Sequence, residues 1–228
     1  MNKKEKKLKP GIKKKMSPYL IIVLSFLSVI IIGALLLSLP FAKQEGVTLS
    51  FLDTFFISTS AVTITGLSPI HNLSTTFSVF GKVVIALLTQ IGGLGIITLS
   101  VFVMILIGMK IGISNRVLLQ TNLNSPSMAG VVNLIKKIVI FTLIVEFIGF
   151  LINLAVFIPL FPLPKAIGIS AFHAIASFNN SGFDILGDSS LINYQDKVLL
   201  LINTALMLLC GGRGFIAPQD LFPKRSIE

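Results

Sequence analysis

Tryptophan is absent from this 228-residue chain, and cysteine occurs once. Without tryptophan the usual aromatic anchors at a membrane–water boundary are missing, which leaves Tyr19 and Tyr194 for that role. A lone Cys210 excludes an internal disulfide and reads as a small packed residue. The two histidines, His71 and His173, stand far apart with no cysteine or carboxylate at ligand spacing, so no transition-metal site is expected. Charged residues make up only 12% of the chain. No phosphate loop ending in Lys-Ser/Thr and no nucleophile–base pair is visible, so no enzyme and no bound cofactor are expected.

What remains is apolar: 54% of the residues are hydrophobic, and the mean hydropathy is +0.92. A soluble domain of this size does not reach that value, so the chain reads as a membrane protein. A net charge of +10 raises the question of nucleic acid, and its distribution answers it. Eight lysines fall in the first fifteen positions, directly before an apolar run. That is a cytoplasmic flank able to touch anionic headgroups of membrane lipid, not a nucleic-acid surface. The run at 19–39 is longer than a signal-peptide core, so it reads as a retained helix.

Taken in order, residues 1–17 form a basic tail and 18–39 a spanning helix closed by Pro40. Residues 51–62 are apolar but too short to cross, and 63–67, Thr-Ile-Thr-Gly-Leu, end them in small hydroxyl residues and a glycine. A polar return loop at 68–80 leads to a second spanning helix over 83–109, which Gly92-Gly93-Leu94-Gly95 should weaken or bend. A polar connector covers 110–130. The third spanning helix, 131–158, carries Glu146; a short apolar stretch at 166–178 runs into Asn179-Asn180-Ser181-Gly182; a loop follows to Asp196. The fourth apolar segment, 198–222, is interrupted by Arg213 and Asp220.

The two halves therefore share one plan, 18–109 and 131–228, each a long helix, a short helix, a glycine-ended segment and a long helix. Gly66 and Gly182 are 116 residues apart, and the glycine clusters at 92–95 and 211–214 are 119 apart. The expected fold is an all-α membrane protein of two helix–pore-loop–helix repeats, with four spanning helices and two re-entrant pore helices. Basic residues concentrate on the N-terminal tail, the connector and the C-terminus, which places all three in the cytoplasm of a multi-pass plasma-membrane protein. Parallel repeats of this sort are a common way to build a transport pathway.

Three ordered stretches carry a resemblance: Thr59-Ser60-Ala61-Val62-Thr63-Ile64-Thr65-Gly66-Leu67, Gln90-Ile91-Gly92-Gly93-Leu94-Gly95 and Ser177-Phe178-Asn179-Asn180-Ser181-Gly182-Phe183. Together they resemble the Trk/Ktr/HKT superfamily of potassium transporters, nearest to the bacterial KtrB/TrkH membrane subunit, over about residues 18–222. The resemblance implies four repeats around one pathway, each giving a glycine-containing segment to a ring that binds potassium. Carried over, Thr63, Ile64, Thr65 and Gly66 supply one quarter and Asn179, Asn180, Ser181 and Gly182 another. It also implies a cytosolic nucleotide-binding regulatory partner of the KtrA/TrkA type. Two features depart from the pattern. The chain holds two repeats where four are needed, so it is expected to be a truncated half or to pair with a second copy. Arg213 stands where the family has an apolar residue, at about 2.5–3.5 kcal/mol for an arginine near mid-helix.

Each feature has a plainer reading. A glycine after a helix is a common C-cap, and Asn-Gly runs favour turns. Asp184 and Asp188 either concentrate cations at an outer mouth or are solvated loop acids. Glu146 either pairs with Arg213 or meets an absent repeat, and the glycine clusters are close-packing faces or a hinge. The function expected is potassium transport, with or without sodium coupling; the alternatives are a non-conducting remnant or assembly partner of a full-length transporter, or an unrelated membrane subunit.

Overall fold

The computed structural model describes residues 18–95, 98–99, 101 and 131–212, and these are all-helical apart from one isolated antiparallel bridge between Lys43 and Phe77. Seven α-helices are described: α1 Pro18–Ser38, α2 Phe51–Val62, α3 Leu73–Thr76, α4 Val79–Leu94, α5 Val131–Phe157, α6 Leu163–Phe178 and α7 Val198–Gly212.

Helix α1 is apolar on all sides, the pattern of a helix set in lipid. Ala34 and Leu37 turn inward while Val23, Ile32 and Leu35 stay exposed. Two described stretches are long and apolar enough to cross a membrane, Tyr19–Ser38 and Asn133–Phe157. Within the described residues α4 has 16 residues and α7 has 15, short of that length.

The short helix α2 starts at a capping box. Ser50 Oγ accepts from the Asp53 backbone N–H, and the Asp53 carboxylate accepts from the Ser50 N–H. Its counterpart α6 opens instead on prolines, with Pro162 at the cap and Pro164 in the first turn, where a missing N–H costs nothing. In the first half α2 packs against both α1 and α4; in the second α6 packs against both α5 and α7. Contact between α4 and α6 joins the halves. Ile57, Ile85, Phe157, Phe172 and Leu200 are among the buried residues of one shared core.

Several boundaries differ from the sequence reading. The return loop at 68–80 contains α3, capped by Asn72 Oδ1 on the Ser74 and Thr75 N–H groups, and α4 begins at Val79 behind a Ser78 cap. At the first glycine cluster the helix is interrupted: α4 ends at Leu94, Gly95 turns to φ 76°, and Thr98, Leu99 and Val101 are helical again. The loop after Gly182 contains a short 3-10 turn, Ser190–Tyr194. The basic tail 1–17, the connector 110–130, Arg213 and Asp220 lie outside the described residues.

Candidate functional site: two glycine-ended turns facing each other

The end of α2 and the end of α6 follow one backbone path. Thr63 closes α2 at φ −89°, ψ 0°, and Asn179 closes α6 at φ −78°, ψ 0°. The next residues, Ile64 and Asn180, have φ of 58° and 55°; two residues further, Gly66 and Gly182 have φ of 69° and 75°. Hydrogen bonds match as well. The Ile64 N–H donates to Ala61 O at 3.3 Å and the Asn180 N–H to Ser177 O at 3.1 Å. The Thr65 N–H donates to Ser60 O and the Ser181 N–H to Ala176 O, each at 3.0 Å. Every one of these pairs is offset by the 116 residues that separate the glycines. Asparagine tolerates the left-handed region; isoleucine, branched at Cβ, does so under strain of about 1–2 kcal/mol.

This path ties the first three amides of each turn back to its own helix and leaves the carbonyls over. Among the described residues, no hydrogen bond ends on the carbonyl oxygens of Thr63, Ile64, Thr65, Gly66, Asn179, Asn180, Ser181 or Gly182. Threonine hydroxyls are held too: Thr63 Oγ1 donates to Thr59 O at 2.8 Å, and Thr65 Oγ1 to Ser60 Oγ at 2.9 Å. What remains unbound is a set of hard backbone oxygens, the donor type suited to alkali cations.

The two turns lie backbone to backbone. A Cβ placed on Gly66 would run into the Ser181 carbonyl and come 2.8 Å from Gly182 Cα; one on Gly182 would stand 3.4 Å from Gly66 Cα. Positive φ and this approach both require glycine at position 66. The glycine clusters support the turns from behind. Gly92 lies against the carbonyl of Val62, and Gly211 against that of Phe178, so a Cβ at either would press on the end of the short helix. They are close-packing faces at these two positions, as the small-residue reading expects. A cavity of about 240 Å³ opens beside the turns, lined by Ile64, Gly93, Asn179, Asn180 and Cys210 among others.

Glu146 is buried, and both of its oxygens are taken. Gln90 Nε2 donates to Oε2 at 3.2 Å and Asn179 Nδ2 to Oε1 at 3.3 Å. Asn179 Nδ2 also donates to Gln90 Oε1 and to Ile175 O, both at 2.9 Å. The described partners of Glu146 are thus two amides, one of which opens the second turn, while Arg213, its expected partner, lies outside the described residues. Gln90 stands in the sequence only as the start of the stretch Gln90-Ile91-Gly92-Gly93-Leu94-Gly95, with nothing to mark it as a partner of α5. Asn179 Oδ1 is turned the other way and lies against Gly93.

The acids expected at an outer mouth separate. Asp184 accepts from the Leu186 N–H at 2.9 Å within its own loop. Asp188 reaches the first half: Asn72 Nδ2 donates to it at 2.6 Å, and His71 Nε2 stands 3.8 Å away. His173 is buried in α6, its Nε2 2.9 Å from Thr204 Oγ1. Cys210 is half-buried and packs on Ala174, Phe178 and Met207.

Comparison with known proteins places the chain. The family model of TrkH, a cation transport protein, matches residues 3–226. The potassium/sodium uptake protein NtpJ of Enterococcus hirae is 37% identical over 221 residues, which is 97% of this chain and 49% of NtpJ. The Ktr system potassium uptake protein B of Bacillus subtilis is 37% identical over 212 residues, 93% of this chain and 47% of the relative. Its namesake in Vibrio alginolyticus is 34% identical over 202 residues, 89% of this chain and 44% of the relative. The chain spans about half the length of these curated relatives. Since the family match runs through both glycine-ended turns and the helices that hold them, this membrane protein belongs to the TrkH family of cation transport proteins.

Proposed function

We propose that the two turns are two quarters of a potassium filter, Thr63–Gly66 supplying one and Asn179–Gly182 the other. The single observation that supports this most is the row of backbone carbonyls left without hydrogen-bond donors on two facing turns. A potassium ion sheds water onto such oxygens, and their number and field set its preference over sodium. In this reading α2 and α6 are re-entrant pore helices, and irregular backbone at mid-membrane depth is tolerated because it lines water. Both termini are cytoplasmic, following the distribution of lysine and arginine. A closed ring needs two more turns, from a second copy of this chain or from the further length that its relatives have. Potassium moves down its gradient, with sodium coupling open, and a cytosolic nucleotide-binding subunit of the KtrA/TrkA type gates it.

Rubidium tracer uptake, in a bacterium stripped of its own potassium uptake systems, tests the reading. The chain is expressed there with any second-half partner needed for uptake. Gly66→Ser and Gly182→Ser should each lower uptake or shift the potassium/sodium preference, at equal membrane abundance. Unaltered uptake and preference in both variants would remove the filter assignment.

A further inference from the structure

A second cavity, of about 460 Å³, lies between the outer surfaces of α4 and α6, and none of the filter residues lines it. Its walls are apolar, with Val83 and Leu87 from α4 and Ile169, Phe172 and Ile175 from α6. Val83 and Leu87 are about half exposed, so the groove opens onto the apolar surface of the described residues. Two lysines line it as well, each in the first turn of its helix: Lys82 on α4 and Lys165 on α6. Among the described residues no acid lines the cavity and neither lysine makes an ion pair. The Lys165 ammonium rests over the Phe161 ring, 4.7 Å from its centre. At Gly168 the groove has room to spare: a Cβ there meets nothing within 4 Å.

Two uncompensated cations above an apolar groove call for a ligand with both properties. Free phosphate would match the lysines and leave the walls uncovered. A neutral acyl chain would match the walls and leave the charges unanswered. We propose that the groove holds one anionic phospholipid of the leaflet in which α4 and α6 begin. Its phosphate lies between Lys82 and Lys165, and an acyl chain runs along Val83, Leu87 and Gly168. Lysine at the headgroup level with its stem on apolar surface is a favourable placement for that charge. The assignment does not rest on the filter reading.

The test uses the full chain purified in neutral detergent, with native mass spectrometry and thermal unfolding in added phosphatidylglycerol, phosphatidylcholine or inorganic phosphate. Phosphatidylglycerol should be retained and should raise the unfolding midpoint. Lys82→Gln with Lys165→Gln should weaken its binding by roughly 30-fold, the loss of two near-surface charges. Gly168→Leu, which fills the groove, should abolish binding while leaving the lipid-free midpoint unchanged; Lys43→Gln, outside the groove, should change nothing. If Gly168→Leu fails to fold, the lysine pair decides alone. Equal retention of phosphatidylcholine overturns the proposal, as does full protection by inorganic phosphate. A lipid-free dimer that cross-links through Val83→Cys would show a second copy in the groove instead, and would overturn it too.

Discussion

Replacing Glu146 with leucine removes the acceptor at the centre of a three-residue network. Asn179 loses a contact of 3.3 Å but keeps Gln90 Oε1 and Ile175 O, both at 2.9 Å. Gln90 Nε2 loses the only acceptor it has among the described residues, at 3.2 Å. A buried amide donor left without a partner costs about 1–3 kcal/mol. Relief of burying an acidic group offsets part of that, so Glu146→Leu should lower stability by about 1–2 kcal/mol. Glu146→Gln keeps one acceptor and turns the other into a donor facing a donor, with an expected loss of about 1 kcal/mol or less. The decisive measurement is a double-mutant cycle with Gln90→Leu, read by unfolding of the detergent-purified chain. With the stranded donor gone, the double variant should be less damaged than the sum of the singles by about 1–2 kcal/mol. On the filter reading, the ratio of rubidium to sodium uptake should shift as well, since the same network holds the first residue of the second turn. If the singles add to within about 0.5 kcal/mol and uptake preference is unmoved, the network neither couples these residues nor orients Asn179.

Other substitutions follow from the same geometry. Gly92→Ala and Gly211→Ala should each destabilise the chain by about 1–3 kcal/mol, because a methyl group meets backbone carbonyl, which cannot rotate away; unfolding midpoints check this. Ile64→Asn should relieve left-handed strain and raise stability by up to about 1 kcal/mol, while Asn180→Ile should do the reverse. Asn203→Leu removes a buried donor that reaches Gly149 O at 3.1 Å and Asn153 Oδ1 at 2.8 Å, with an expected loss of about 1–3 kcal/mol in the same assay. Burial and the nearby Asp184 charge raise the Tyr194 phenol above its ordinary range. Its contribution to stability is therefore complete below the unfolded value near 10 and fades as pH climbs through the folded one. Tyr194→Phe should flatten the alkaline limb of a stability–pH curve and leave the neutral region unchanged.

Much of this architecture was legible in the sequence because lipid leaves an unambiguous trace. An uncharged run of spanning length located α1, an apolar run of spanning length that carries Glu146 located α5, and a run too short to cross located α2 to the residue. The 116-residue offset between Gly66 and Gly182 aligned the two turns before any coordinates, since glycine is the side chain that positive φ demands. Weaker signals failed for physical reasons. Nothing in the glycine cluster said at which residue α4 would be interrupted, because the outcome depends on what the next residues pack against. Helix α3 is a single turn held by one asparagine cap, below the length at which periodicity can be read. The partners of Glu146 come from 56 residues before it and 33 after it, a distance no local pattern spans. Likewise Asp188 gave no hint that its hydrogen bond would cross to Asn72 in the other half.

The two turns coincide in backbone angles while sharing, among their four residues, only the final glycine. Their form is therefore written in main-chain torsions, and the other side chains are free to serve what stands behind them. Threonine hydroxyls knit the first turn to its own helix, whereas Asn179 ties the second to a neighbouring helix in each half. One turn is braced from within and the other from outside. Mutational tolerance should differ accordingly: the hydroxyl bracing of the first turn answers to changes in α2, and the second turn inherits disturbances in α4 and α5 through Asn179. Two ancestral copies of one unit can in this way drift into a stiff half and a tunable half without either losing its shape.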